Sequence, residues 1–293
     1  MGIKKVLFAV SYWEMGYKGL LEIITLKKVG LEEIYLLHVI PREEVSYVPF
    51  SGFLKEKAVE LKEAAKLKFQ DWEKEIKKAG LKSHILIEIG DPIAKILEIA
   101  EEIEVDMLVI GKLKKEGIFV SEGTLELTSR SKVPVLIYCH SLLREHEETP
   151  IPLENVQIFR IPILATDFSE NSIRARDFLL NFKSLIQKIY VVNIIKSEKI
   201  SALKEEEIQR LEEERRNRLI EFLEPYKLQG IEGDIFLGLG EDPSQEILEF
   251  VREKEGTLIV LGKTSKGFLE KLFVGSVTSE LLKKAEFPLL VVP

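Results

Sequence analysis

PILATDFSENS, residues 162–172, is the stretch that decides the fold: an apolar run passes into Asp167 and then into a polar start of a helix. An apolar run of this length followed directly by a helix start is typical of a buried strand that leads into a helix. A matching run, KVLFAVS, occupies residues 5–11 and has Ser11 at the position of Asp167. The strand-to-helix unit therefore occurs twice in this chain.

Further anchors follow both runs in the same order along the chain. The matched pairs are Ala9 with Ala165, His38 with Asn193, Asp91 with Asp242, Gly111 with Gly262, Gly123 with Gly275, and Pro134 with Pro288. The offset within a pair stays between 151 and 156 residues, so the differences are the size of short loop changes. This regular spacing indicates one fold written twice.

Each copy alternates apolar strands with helices, and in the second copy one helix is predicted from 169 to about 184 and a long one from about 199 to 227. The predicted strands are 4–10, 33–40, 83–89, 106–110 and 134–139 in the first copy, and 161–166, 188–195, 231–238, 257–261 and 288–292 in the second. Continuous apolar strands separated by helices are typical of a parallel sheet that is buried on both faces. The predicted fold class is α/β, with two tandem copies of an open five-stranded parallel sheet with helices on both faces, of the Rossmann type. The predicted domains are 1–140 and 159–293, joined by a charged linker at 141–158 that contains two prolines.

Composition excludes several classes of protein. The chain of 293 residues has a net charge of −7, which offers no global attraction for nucleic acid. A single cysteine excludes an intrachain disulfide and zinc sites of the paired-cysteine type, and suits the cytoplasm. No stretch approaches the ~20 apolar residues of a membrane helix. We therefore predict a cytoplasmic protein that binds neither nucleic acid nor membranes.

The residue types that often catalyse reactions or bind metals do not have the spacing in the sequence that either role requires. The four histidines, His38, His84, His140 and His146, have no metal-ligand spacing. No Ser/His/Asp order or pair of carboxylates in a shared context is present. We predict no catalytic residue and no metal site.

Two loops of the second copy carry unusual residues. Gly262 and Gly267 enclose a loop that contains Lys263 and Lys266, and Gly275-Ser276 begins the next helix. Glycines let backbone N–H groups approach an anion closely, and a helix N-terminus favours negative charge. This pattern is compatible with phosphate binding, but an ordinary strand-to-helix loop with Ser276 as a helix cap remains open. The pattern matches neither the P-loop nor the dinucleotide-binding glycine motif.

The second copy resembles a universal stress protein domain in its segments ILATDFSENSIRA and LGKTSKGFLEKLFVGSVTSELLKKAEFPLLVV, and the whole chain resembles the tandem form of that family. The ATP-binding branch of the family carries Gly, two residues, Gly, nine residues, and Gly followed by Ser or Thr. Gly262 and Gly275-Ser276 match the two ends of this motif, whereas Ser265 stands at the middle glycine. Gly267 lies two residues further on.

The resemblance implies a nucleotide-binding set in the second copy. Asp167 matches the acidic residue that contacts the nucleoside, and Ile194 falls near the apolar position that packs by adenine. The alternatives are that Asp167 caps the following helix and that Ile194 is plain core. The complete predicted set is Thr166, Asp167, Ile194, Gly262, Ser265, Gly267, Gly275, Ser276 and Val277.

The first copy departs further from the family pattern. Ser11 replaces the acid and is followed by the bulky Tyr12 and Trp13. Only eight residues separate Lys114, at the middle glycine position, from Gly123, and the loop carries carboxylates that would repel phosphate. We therefore predict that the first copy does not bind ATP.

The function that the resemblance implies is a stress-response regulator or sensor that binds ATP, with or without Mg²⁺, or a related adenine nucleotide. Two alternatives stay open: a protein-interaction module with both sites decayed, and a slow ATPase. Family members often pair through their last strands, which implies an intrachain pseudo-dimer through residues 133–138 and 287–292 and a possible homodimer.

Overall fold

The computed structural model describes residues 2–10, 16–45, 55–112, 114–115, 118–119, 122–139, 157–263, 274–284 and 286–293. Contacts divide the chain into two units, one of Met1–Lys114 with Val133–Val156 and the other of Lys115–Lys132 with Gln157–Pro293. The segment Lys115–Lys132 thus groups with the second unit, although the repeat assigns it to the first copy. Residues 141–156 of the predicted linker lie outside the described part of the chain.

The first copy contains seven strands and five α-helices within its described residues. In chain order they are β1 (Lys5–Ala9), α1 (Gly16–Thr25), β2 (Glu33–Pro41), α2 (Arg42–Val45), α3 (Lys55–Lys78), β3 (Lys82–Gly90), α4 (Pro92–Ile103), β4 (Met107–Lys112), β5 (Lys114–Lys115), β6 (Ile118–Phe119), α5 (Glu122–Arg130) and β7 (Val135–Cys139). The two-residue strands β5 and β6 pair with each other.

The second copy repeats the alternation of strands and helices. Its elements are β8 (Pro162–Ala165), α6 (Glu170–Leu179), β9 (Lys188–Lys196), α7 (Glu205–Lys227), β10 (Glu232–Gly240), α8 (Pro243–Glu253), β11 (Leu258–Gly262), α9 (Ser276–Lys284) and β12 (Leu289–Val292). In the described parts of the chain, no helix has the length and apolar character to cross a membrane.

Each unit is built on five parallel strands. The order is β3-β2-β1-β4-β7 in the first unit and β10-β9-β8-β11-β12 in the second. Every neighbouring pair within these two sets is parallel, which confirms the predicted fold class. Because β8 lies between β9 and β11, the winding direction reverses there, and an open parallel sheet has its binding crevice at such a point.

Helices cover both faces of the second sheet. A Cβ added at Gly233 on β10 would lie 2.5 Å from Leu223 of α7. Three residues along the same strand, the ring of Phe236 stacks on Phe250 of α8 at 4.2 Å. Successive strand residues point to opposite faces, so α7 and α8 pack on opposite sides of β10.

Two helix boundaries differ from the sequence prediction. The helix predicted from about 169 to 184 ends as an α-helix at Leu179 and continues as a 3₁₀ helix over Leu180–Leu185. The helix predicted from about 199 begins at Glu205, because the side chain of Glu207 accepts a hydrogen bond from the Lys204 backbone N–H at 2.8 Å. Charged residues before Glu205 hide this start in the sequence.

Candidate functional site

A pocket of about 290 Å³ lies in the second unit, at the carboxyl ends of β8, β9 and β11. This is the crevice that the strand order predicts. Seven residues of the predicted nucleotide-binding set line the pocket: Thr166, Asp167, Ile194, Gly262, Gly275, Ser276 and Val277. The other two, Ser265 and Gly267, lie outside the described residues.

Asp167 follows β8, and its carboxylate is held by the turn that leads into α6. Oδ1 accepts hydrogen bonds from the Ser169 backbone N–H at 3.0 Å and from the Ser172 hydroxyl at 2.7 Å. Partial burial raises the pKa of Asp167, but these hydrogen bonds outweigh it and hold the pKa below its usual value. The carboxylate is therefore charged at neutral pH. The N-cap of α6 is Ser169 and not Asp167, so the alternative reading of Asp167 as the cap is wrong.

Phe168 stabilises the same turn by packing its ring against α7. Its φ of 63° lies in the left-handed region, which costs free energy for a residue with a side chain. The buried ring packs edge-on against Phe222 at 5.6 Å and lies 4.3 Å from the guanidinium of Arg218. Packing of the ring thus compensates for the unfavourable backbone of the residue that follows Asp167.

Asn193 on β9 holds the end of β8. Its Nδ2 donates to the Thr166 carbonyl oxygen at 2.7 Å, and its side chain is buried. The Thr166 backbone N–H donates in turn to Val192 at 2.9 Å. The strand end that carries Asp167 is therefore fixed by two bonds to its neighbour.

An apolar wall completes this side of the pocket. Val192, Ile194 and Ile247 line it together. Ile194 packs over Gly238, where an added Cβ would lie 2.6 Å from the Ile194 Cδ1 atom. The wall therefore depends on a glycine in β10 that the sequence analysis did not single out.

Gly262 at the end of β11 is explained by packing. An added Cβ would overlap the backbone of Asn171 and lie 2.6 Å from the Ser172 backbone nitrogen. The Asn171 side chain also donates to the Lys263 carbonyl oxygen across the same contact. Glycine here lets β11 approach the start of α6, whereas the sequence analysis explained it by the approach of an anion.

The first turn of α9 forms another wall of the pocket that Asp167 lines. Buried Gly275 precedes the helix, and Ser276 and Val277 are its first two residues. N–H groups at a helix N-terminus have no partner within the helix, and the helix dipole favours negative charge there. This wall is therefore suited to an anionic group.

The lysines near the pocket divide into two groups. Lys263 does not line the pocket: its Nζ donates to the Ser131 carbonyl oxygen at 3.1 Å, and burial lowers its pKa. Lys196 and Lys199 do line the pocket, and neither forms an ion pair in the part of the chain that the structure describes. Among the described residues, the lysines at the pocket therefore do not include Lys263 of the glycine-rich loop; Lys266 lies outside the described residues.

Sequence reasoning missed eleven lining residues: Ala165, Ser172, Val192, Asn193, Lys196, Glu198, Lys199, Pro243, Ile247, Leu261 and Thr278. Ala165, Lys196, Glu198, Lys199 and Leu261 lie at or just after the carboxyl end of a strand, and that position is the signal that would have found them. Within the described ranges, no group of three or more His, Cys, Asp or Glu side chains is placed to hold a metal ion.

The sequence model of the universal stress protein family matches the chain twice, at residues 2–138 and 159–293. The chain belongs to the universal stress protein family. Its two matched regions make it a tandem member. It is 29% identical to universal stress protein MJ0577 of Methanocaldococcus jannaschii over 154 residues, which cover 46% of this chain and 93% of that protein. It is 46% identical to universal stress protein MJ0531 of the same organism over 50 residues, which cover 17% of this chain and 29% of that protein.

Solved structures agree with this family at the level of the fold. A universal stress protein from Archaeoglobus fulgidus superposes with a TM-score of 0.67 at 22% identity, covering 98% of this chain and 97% of the other. A putative universal stress protein from Pseudomonas aeruginosa gives 0.65 at 14% identity, covering 99% and 93%. These are likenesses of fold that extend over nearly the whole length of both chains.

Proposed function

We propose that the second domain of this universal stress protein binds ATP or a related adenine nucleotide, and that the protein acts as a stress-response regulator or sensor. The observation that carries the proposal is one pocket that unites a charged Asp167, an apolar wall at Ile194 and the first turn of α9. A nucleotide offers matching groups: ribose hydroxyls, a flat base and phosphates.

The chemistry of each wall supports this assignment. The Asp167 carboxylate accepts hydrogen bonds, as ribose hydroxyls require, and its low pKa keeps it charged. The start of α9 offers N–H donors and a favourable dipole to phosphate. A volume of about 290 Å³ is close to the lower end of the range for ligand pockets.

Magnesium would be held mainly by the phosphates of the nucleotide and not by a complete set of protein ligands. Mg²⁺ is usually held by substrate phosphates and one or two carboxylates. Asp167 and Glu198 are the carboxylates among the described lining residues. The pocket therefore suits a Mg²⁺ ion that is coordinated by the phosphates of the nucleotide when it binds.

Calorimetric titration with ATP tests the proposal. Asp167→Ala removes a charged hydrogen-bond acceptor, which we expect to weaken binding by about tenfold or more. Asp71→Ala is the matched control, because it makes the same charge change on a side chain that is 81% exposed on α3. No binding by the wild type at millimolar ATP, or equal affinities for wild type and Asp167→Ala, would contradict the proposal.

A protein-interaction module is the second candidate. It is favoured by Gly262, because packing alone explains that glycine and the motif is then less specific for phosphate. The same titration separates the two candidates. If ATP binds, analysis of the products after long incubation with Mg²⁺ tests for slow hydrolysis.

The pairing of domains and the cytoplasmic location stay predictions. Sedimentation equilibrium of the full chain measures whether two copies associate into a homodimer.

A further inference from the structure

Two arginines of α7 share one aromatic ring outside the pocket. The guanidinium carbons of Arg215 and Arg218 lie 5.4 Å and 4.3 Å from the centre of the Phe168 ring, and neither arginine lines the pocket. An aromatic ring attracts a cation, but two guanidinium groups over the same ring repel each other. An anion that contacts both groups would remove this repulsion.

The hydrogen-bond donors of both arginines are poorly used. The Nε atom of Arg215 is buried and has no hydrogen-bond partner, and Arg215 forms no ion pair with any residue that the structure describes. Arg218 has two long contacts, from Nη2 to the Phe168 carbonyl oxygen at 3.5 Å and from Nη1 to Glu214 at 3.8 Å. Both distances exceed the usual length of an N–H···O hydrogen bond. A buried donor without an acceptor costs free energy, so an added acceptor would stabilise this cluster.

Arg176 of the same unit shows the usual arrangement. Its guanidinium lies 5.2 Å from the centre of the Phe222 ring, and its Nε and Nη2 atoms contact the Asp177 carboxylate at 2.8 Å and 2.7 Å. The ring and the carboxylate together satisfy the charge and the donors. Among the described residues, Arg215 has the ring but not the carboxylate.

The chemistry of the two arginines selects the class of the missing partner. One edge of a guanidinium presents two parallel N–H groups, which match two oxygens of a phosphate or a carboxylate. A phosphate group carries nearly two negative charges at neutral pH, so a single phosphate balances both arginines, whereas a single carboxylate balances only one. We propose that Arg215 and Arg218 form a binding site for a phosphate group, separate from the nucleotide pocket.

The site is open to solvent on the side of Arg218, whose side chain is 42% exposed. Arg215 is half-buried, and rotation of its long side chain would bring the unpaired Nε to the same phosphate. The assignment does not depend on nucleotide binding, because its residues line a different part of the second domain.

The test is calorimetric titration of the full chain with inorganic phosphate, at an ionic strength held constant with NaCl. We expect Arg215→Gln and Arg218→Gln each to weaken phosphate binding about tenfold, because each removes charged hydrogen-bond donors. Arg176→Gln is the matched control, since it also removes a cation that lies over a ring, and it should bind phosphate within about twofold of the wild type. Thermal unfolding checks each variant. Lysine replaces glutamine if a variant does not fold, because lysine keeps the charge but lacks the paired N–H groups.

Glu214→Gln tests the direction of the effect. It removes the carboxylate that lies 3.8 Å from Arg218, so phosphate should bind about twofold more tightly. The assignment is overturned if the wild type does not bind millimolar phosphate, or if both arginine variants keep its affinity, which would place the phosphate in the nucleotide pocket. An equal loss in Arg176→Gln would also overturn it. The ATP titration decides the proposed function separately.

Discussion

The two copies agree closely in the turns between helices and strands. Gly80 and Gly230 end the long helices with the same φ of 74°. Glu104 and Glu255 follow α4 and α8 with φ values of 56° and 52°, although neither is a glycine. Such agreement between duplicated segments indicates backbone conformations that the fold itself requires.

The copies also share a bond at the carboxyl end of the first strand, but not the residues that make it. The Asn193 side chain bonds the Thr166 carbonyl oxygen, and the ring Nδ1 of His38 lies 2.9 Å from the Val10 carbonyl oxygen. The next residue in sequence is Asp167 in one copy and Ser11 in the other. Features present in both copies are therefore structural, and a difference at a shared position is a candidate for function.

Substitution of Gly262 should have the largest effect on stability. Its counterpart in the first copy is Gly111, so both copies have a glycine at this position. Gly262→Ala places a Cβ against the backbone of Asn171 and Ser172, which cannot move aside as a flexible side chain does. We expect the second domain to lose about 3 kcal/mol of unfolding free energy, with weaker ATP binding because Ser172 bonds Asp167.

Urea unfolding measures this loss. Both tryptophans, Trp13 and Trp72, lie in the first copy, so their fluorescence reports that domain while circular dichroism follows both. Gly90→Ala is the control, because its Cβ would meet only the flexible Lys95 side chain, at 3.1 Å. Equal losses for the two variants would show that packing does not explain Gly262.

The fold was predictable from the sequence because the signals for its strands and helices are local and occur in both copies. Apolar runs bounded by helix starts predict the strands, and the matched anchors predict the duplication. Strand order is not local, and only the structure places β8 beside β11.

The site was predictable only where a single residue type carries the signal, as at Asp167 and Gly275. The part played by Asn193 depends on a hydrogen bond that exists only in three dimensions, and in sequence Asn193 resembles an ordinary core position. Gly262 was singled out for a different reason than the structure provides, since its close neighbours on α6 are distant in the chain.

Substitution of Asn193 tests whether the shared strand-end bond both stabilises the second domain and holds the pocket in shape. Asn193→Leu leaves the Thr166 carbonyl oxygen without its side-chain donor, which we expect to cost about 2 kcal/mol and to weaken ATP binding. Asn193→His introduces the residue of the first copy and should recover part of the stability. Urea unfolding and ATP titration measure the two effects.

His38→Leu is the matched variant in the first copy. It should destabilise the first domain, as followed by tryptophan fluorescence, and leave ATP affinity unchanged. Loss of ATP binding in His38→Leu would contradict the prediction that only the second copy has a working site.

The smallest expected effect concerns the matched helix caps Asp91 and Asp242. Asp91 accepts a bond from the Ala94 N–H at 2.7 Å, whereas Asp242 accepts from Ser244 and also pairs with Lys284 at 2.9 Å. The hydrogen bonds from Ser244 and then from Lys284 lower the pKa of Asp242 from 3.8 to about 2. Its stabilising contribution is therefore complete above pH 3.8 and is lost as the pH falls towards 2.

We expect Asp242→Asn to cost about 1 kcal/mol at pH 7, because the side chain is 46% exposed and solvent screens the ion pair. Asparagine still caps a helix, so Asp91→Asn should cost only a few tenths of a kcal/mol. Urea unfolding at pH 7, 4, 3 and 2.5 should show the penalty of Asp242→Asn shrinking only below about pH 4. A penalty that is the same at every pH would mean that the charge of Asp242, and with it the pair with Lys284, does not stabilise the second domain.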